Sequence, residues 1–219
     1  MINKEANKRV NRELDKLYKS CASEFLSEWS RAFTDTAPES INNFGIVDGE
    51  KYDADNGVLF IGKETNNFSH SQYRDWLFWL SRQSSLRGTN ITPNMWYNVG
   101  RWAYLSKHPE KDVQNIAALK ADALKFIGTI AFTNVNKVYG KSQSKEEYYR
   151  VATSDIAGSV LRQEIEIIKP KMIVCCGTGD IFLRHVPIFS GKIIFMPHPG
   201  ARKNTQAMLC ELKKQLKKK

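Results

Sequence analysis

The sequence predicts an α/β protein built on a parallel sheet of four strands, and three observations predict it. Short apolar runs at 58–61, 128–138, 172–176 and 192–196 read as buried strands. Segments with apolar residues at three- and four-residue spacing separate them, so strands alternate with helices and are joined by right-handed crossovers. Three of the four runs end in polar clusters at the carboxyl side, where open α/β sheets bind their ligands.

Taken in order, residues 4–33 carry Val10, Leu14, Leu17, Cys21, Phe25 or Leu26, Trp29 and Phe33 on one face, which predicts a long amphipathic helix ended by Thr36-Ala37-Pro38. Residues 41–47 read as ambiguous, and the turn Asp53-Ala54-Asp55-Asn56-Gly57 precedes the strand Val58-Leu59-Phe60-Ile61. Gly62 then lets the backbone turn and delivers Lys63, Glu64, Thr65 and Asn66. An aromatic-rich stretch follows, predicted as helices at 71–80 and 94–106 about a polar loop at 81–93. Its aromatics serve chiefly as core, while Phe68, followed by Tyr73, is placed to stack on a planar ligand. Residues 112–126 read as a helix, 141–145 as a polar loop, and 153–168 as a helix closed by Lys169-Pro170. After the third strand, Gly177-Thr178-Gly179 leads into a short helix through His185. The fourth strand runs into Pro197-His198-Pro199-Gly200-Ala201-Arg202, and residues 205–216 form the closing helix.

A chain of 219 residues suits one domain, with residues 1–35 as a helix packed on it, 67–125 as an aromatic-rich helical insertion and 213–219 as a basic tail. The net charge of +10 favours polyanionic partners, nucleic acid before anionic membrane, although Lys213, Lys214, Lys217, Lys218 and Lys219 supply part of it. Cys21, Cys175, Cys176 and Cys210 include no CxxC spacing, which argues against a metal site or a disulfide framework and for a reduced, cytoplasmic setting. The polar N-terminus and the lack of any apolar run of ~18 residues predict a soluble protein.

The polar clusters pair Glu64 with Asn66, Asn134 with Asn136, and His198 with Arg202. Acid, amide and imidazole converging on one sheet edge suit cleavage of a bond to a heterocycle. Singly each has a plainer reading: Glu64 as a solvated loop residue, the asparagines as turn caps, His198 as a surface residue between two prolines.

As an ordered set they resemble the uracil-DNA glycosylase superfamily. Gly62-Lys63-Glu64-Thr65-Asn66 resembles its first motif, and Thr133-Asn134-Val135-Asn136-Lys137-Val138 the middle strand of its thermophile-type members. The stretch from Arg162 to Gly177 resembles their helix–strand unit, and His198-Pro199-Gly200, with Arg202 and Asn204 behind it, resembles the last motif. The likeness spans roughly residues 58–216, with 68–125 unaligned. Thr65 stands where proline is usual and Gly200 where serine or alanine is usual; Glu64 stands where other branches carry Asp, Asn or Ala. The cysteines that bind an iron–sulfur cluster in the thermophile-type branch are missing.

The resemblance implies a three-layer α/β/α sandwich, a uracil-DNA glycosylase-like fold. It further implies a monomeric, monofunctional hydrolase that needs neither metal nor cofactor, flips an altered base out of DNA and cuts its N-glycosidic bond. Glu64, His198 and Asn134 would be catalytic. Gly62, Asn66, Phe68 and Asn134 would bind the base, and Lys63, Arg202 and Lys203 the DNA backbone. Base-excision repair is the implied setting. The Phe68–Tyr104 insertion and Glu64 leave room for a modified pyrimidine of phage DNA, hence defence. The basic charge alone is equally explained by a non-catalytic DNA-binding module, and the sheet edge by an enzyme acting on a free nucleoside.

Overall fold

In the computed structural model, which describes residues 2–33, 41–64, 93–138 and 145–218, the chain opens with α1, Lys4–Ala32. Asn3 caps it by accepting from Ala6 N, and Leu14, Leu17, Tyr18, Cys21, Phe25 and Trp29 form its buried stripe. Then come β1 (Gly45–Ile46), a 3-10 turn (Ala54–Asn56) and β2 (Val58–Gly62), every residue of which is buried. The helices α2 (Pro93–Lys107) and α3 (Val113–Ala117) and a 3-10 segment (Ala121–Thr129) lead into β3 (Ala131–Asn134). The second half runs α4 (Lys145–Ala152), α5 (Asp155–Ile168), β4 (Met172–Cys176), α6 (Gly179–His185), β5 (Lys192–Met196) and α7 (Thr205–Lys217).

The strands order as β1-β3-β2-β4-β5. The four predicted strands are all parallel, whereas β1 adds a fifth, antiparallel to β3, with Gly45 opposite Phe132 and Ile46 opposite Ala131. The sheet is therefore five-stranded and mixed rather than four-stranded and parallel. A two-residue strand is too short to show a period in sequence, so residues 41–47 carried no signal of it.

From β2 the chain first moves to β3, then returns across β2 to β4 and on to β5. Right-handed crossovers in opposite directions put their helices on opposite faces. The packing agrees: α1 packs with α4 and α5, and α2 with the 3-10 segment and α7. That arrangement is compatible with three layers. Because the direction reverses at β2, a crevice opens between β2 and β4 at their carboxyl ends.

Three expectations need revision. Residues 112–126 are two elements and not one helix: Arg101 Nε on α2 takes the Leu119 carbonyl (2.8 Å), and Ala123 N bonds back only three residues, to Lys120 O (3.0 Å). The second strand is confined to Ala131–Asn134, shorter than the run 128–138. A separate helix, α4, stands before α5, with Ser154 as the intervening cap. The expected helix at 71–80 and the stop at 36–38 lie outside the described residues, as do the loops expected at 81–93 and 141–145 apart from Pro93 and Lys145, which open α2 and α4.

At the far edge, β5 is covered by one side chain. Gln215 Oε1 accepts from Phe195 N (3.0 Å) and Gln215 Nε2 donates to Phe195 O (2.8 Å), so a side-chain amide imitates a neighbouring strand. Lys192 Nζ donates to the Leu216 and Lys218 carbonyls and holds down the end of α7. Among the described residues, no helix is long and apolar enough to cross a membrane.

Candidate functional site

The carboxyl end of β2 carries the site because three neighbours are pinned to it. Past the last ladder pair, Val135 N donates to Gly62 O (3.0 Å) and Asn136 N to Lys63 O (3.1 Å), so the chain leaving β3 stays alongside that leaving β2. From the other flank, Thr178 Oγ1 donates to Ile61 O (2.9 Å) and ties the end of β4 to β2. His198 follows β5, the strand beside β4.

Gly62 serves a different purpose from the one its sequence position suggested. It ends β2 and is not among the glycines with positive φ. A Cβ built there would overlap Asn134 Oδ1 and stand 3.1 Å from Phe132 Cζ, so the missing side chain makes room for the Asn134 amide across the strand end. Gly177 makes room in a second way. Its φ of +76° is a conformation that favours glycine, and a Cβ there would come within 3.1 Å of His198 N.

Glu64, half-buried, accepts through Oε2 from Asn136 Nδ2 (3.3 Å). The fully buried Asn136 has its Oδ1 engaged by Val138 N (3.0 Å), which fixes the amide so that its NH₂ faces the carboxylate. Burial pushes the Glu64 pKa up to about 7, against the pull of the Lys63 charge and of the Asn136 hydrogen bond. A carboxyl group poised there exchanges protons near neutrality.

His198 shows an exposed face, yet enough of its ring is packed that burial lowers its pKa, with the Lys63 charge second. The imidazole is therefore neutral at neutral pH. Its Nδ1 accepts from Gly200 N (3.1 Å), which leaves the proton on Nε2 as a donor. Lys63 is the charge that both Glu64 and His198 feel, and its ammonium lies 4.1 Å from the centre of the Tyr148 ring.

The structure thus brings Gly62, Lys63, Glu64, Asn134 and His198 to one rim. Arg202 and Lys203 lie exposed in the turn before α7, and Asn204 caps that helix through Ala207 N (3.0 Å). Asn66 and Phe68 lie outside the described residues, as do Thr65 and Tyr73. Among the described residues, no group of three or more His, Cys, Asp or Glu side chains is placed to hold a metal ion.

Three supports escaped the sequence reading. Asn98 on α2 donates to Pro199 O (2.8 Å) while its Oδ1 accepts from Arg101 Nη1 (3.2 Å), which clamps the loop that carries His198. Beneath Asn134 lies a buried network in which Lys137 Nζ donates to Glu164 Oε2 (2.8 Å), Thr133 Oγ1 (2.6 Å) and the Asn134 carbonyl. Glu164 also accepts from Thr133 Oγ1 (2.8 Å) and from the Tyr18 hydroxyl. Burial lowers the Lys137 pKa, with Glu164 opposing. All three ammonium donors are engaged, so Lys137 is a clamp on β3 and not a free amine. The third support is Tyr148, whose ring carries the Lys63 ammonium. Asn98, Glu164 and Tyr148 sit on amphipathic helices far from any polar cluster in the sequence, where only the fold assigns them a neighbour.

No protein-family model, no curated protein and no solved structure matches this chain.

Proposed function

We propose that the protein is a DNA glycosylase that takes a flipped, altered base into the rim at the ends of β2, β3 and β5 and hydrolyses its N-glycosidic bond. The observation that carries the reading is that a carboxyl group poised near pH 7, Glu64, and a neutral imidazole donor, His198, both feel the Lys63 charge at the strand ends where the Asn134 amide lies against Gly62. The likeness of the ordered motifs to the uracil-DNA glycosylase superfamily supports the same reading. So does a sheet whose four parallel strands end in those motifs, and we read the fold as uracil-DNA glycosylase-like on both grounds.

In this reading the base leaves as an anion and the sugar becomes oxocarbenium-like. Asn134 donates to and accepts from the edge of the base. His198 Nε2–H donates to the oxygen on which charge develops, and a donor aimed in that way is worth about 3 kcal/mol. Glu64 in its ionised form takes the proton of the attacking water and faces the sugar cation. Arg202 and Lys203, both exposed, contact phosphates, and Phe68 stacks on the base.

The test is a panel of single- and double-stranded DNAs, each with a different altered base, scored for alkali-labile abasic sites. We expect one or a few bases to be excised. Glu64→Gln should lower the single-turnover rate by about 10²–10⁴-fold while DNA binding persists. Retention of DNA with no abasic site on any member of the panel would leave a binding module in place of an enzyme.

A further inference from the structure

Tyr148 has no part in the reaction just described, and its hydroxyl is out of place in an ordinary core. The side chain is fully buried, and among the described residues its hydroxyl has no hydrogen-bond partner. An unmet buried hydroxyl costs free energy, so its persistence calls for a cause. Tyr52 carries another such hydroxyl, but that one stands against Gly57, at the opposite end of β2 from the rim. Tyr148 stands at the rim itself.

Two observations place it there. Its ring lies under the Lys63 ammonium at 4.1 Å, next in sequence to Glu64. Burial raises its pKa, and the first charge to add to that rise is Glu64, followed by Tyr149 and Asp180. Asp180 opens α6, directly beyond the end of β4. The buried phenol thus stands beside Lys63, with Glu64 the first charge acting on it, and stays protonated, a donor that also accepts. On Glu64, Oε2 is held by Asn136, which leaves Oε1 to face something else.

We propose that Tyr148 Oη and Glu64 Oε1 hold one water between them, and that this water is the nucleophile of the hydrolysis. The second half of the statement rests on the glycosylase reading; the first does not. A buried water needs two to four polar partners, and the phenol and the carboxylate supply two with opposite preferences. The phenol accepts from or donates to the water, and the carboxylate accepts. In the step, the water oxygen forms a bond to the anomeric carbon and one water proton passes to Glu64. The carbon–nitrogen bond breaks with its electron pair going to the base, which His198 Nε2–H meets as a donor. The base takes up a proton afterwards, so water has been added across the bond. The groups that act on Glu64 are Lys63 on its own strand end, Asn136 after β3 and Tyr148 on α4; Asp180 on α6 faces Tyr148, and His198 after β5 shares the Lys63 charge.

Tyr148→Phe in the full chain tests this, because it removes the hydroxyl and keeps the ring under Lys63. Carboxyl carbon resonances of labelled glutamate, with Glu64 assigned by its loss in Glu64→Gln, give the Glu64 midpoint. We expect Tyr148→Phe to raise that midpoint by about 0.5 pH unit or more, since a donor network to the charged form has been cut. We also expect single-turnover cleavage of the altered-base DNA to fall about 10–100-fold, with the Kd for DNA unchanged and melting temperature not lowered. An unmoved midpoint overturns the shared water. A moved midpoint with unchanged cleavage overturns its role as nucleophile. If the midpoint moves but the wild-type chain leaves no abasic site on any DNA, the shared water stands and the glycosylase reading falls.

Discussion

At Glu64 the pH dependence has a defined sign. Its ordinary value is 4.5 and its folded value about 7, so between those values the folded chain holds more proton than the unfolded one. Stability then falls as pH rises across that window and levels off above it. His198 works the other way: its folded pKa is below 6.5, so stability is lost as pH drops below that value. Urea denaturation of the wild type and of Glu64→Gln, compared from pH 4.5 to 8, isolates the first contribution because His198 is common to both. The wild type should lose stability relative to the variant as pH climbs toward 7 and stay level beyond it. If Glu64 acts ionised, cleavage should rise about tenfold per pH unit below that value and then flatten. The carboxylate, the amide and the imidazole could be picked out of the sequence because each directly ends a recognisable strand. The amide that orients the carboxylate could not: Asn136 and Asn134 are two residues apart, and only the bonds to Lys63 O and Val138 N show which one meets Glu64.

At the scale of elements, the buried Lys137–Glu164 pair joins β3 to α5, and Tyr18 brings α1 into the same network. Lys137→Met leaves a carboxylate buried without its cation, for which about 3–5 kcal/mol of destabilisation is expected. Lys137→Met with Glu164→Leu removes both charges and should recover most of that loss, as read from urea midpoints. Strands and long helices were legible because period and burial agree along them: all of β2 is buried, and α1 repeats its apolar stripe along a helix of about eight turns, Lys4–Ala32. The break within residues 112–126 was not legible, since nothing in that stretch forbids a helix. Its cause is Arg101, which sits on another element and captures the Leu119 carbonyl. The edge strand β1 was hidden for a related reason: it exists only because β3 offers it a free side.

Over the whole molecule, the +10 charge overstates the cations available to a phosphate backbone. Lys192 and Lys213 donate to carbonyls of the fold, Lys63 lies on an aromatic ring, and Lys137 is buried. On the proposed DNA-binding role, affinity for DNA should fall with added salt, with a slope that Arg202, Lys203 and the other exposed cations would set. Neutralising Lys214, Lys217 and Lys218 to Gln tests the share of the tail by the loss of slope, about 0.9 for each phosphate contact removed.

Deleting the tail instead would ask a different question. Without Gln215 the backbone of Phe195 faces water at the rim of an otherwise complete sheet, with an exposed phenyl ring beside it. Such a border is a template on which another polypeptide can lay itself down, so a chain cut before Gln215 should enlarge with concentration in light scattering while the intact protein does not. The Gln215 amide thus stands where the backbone of a second molecule would otherwise bond.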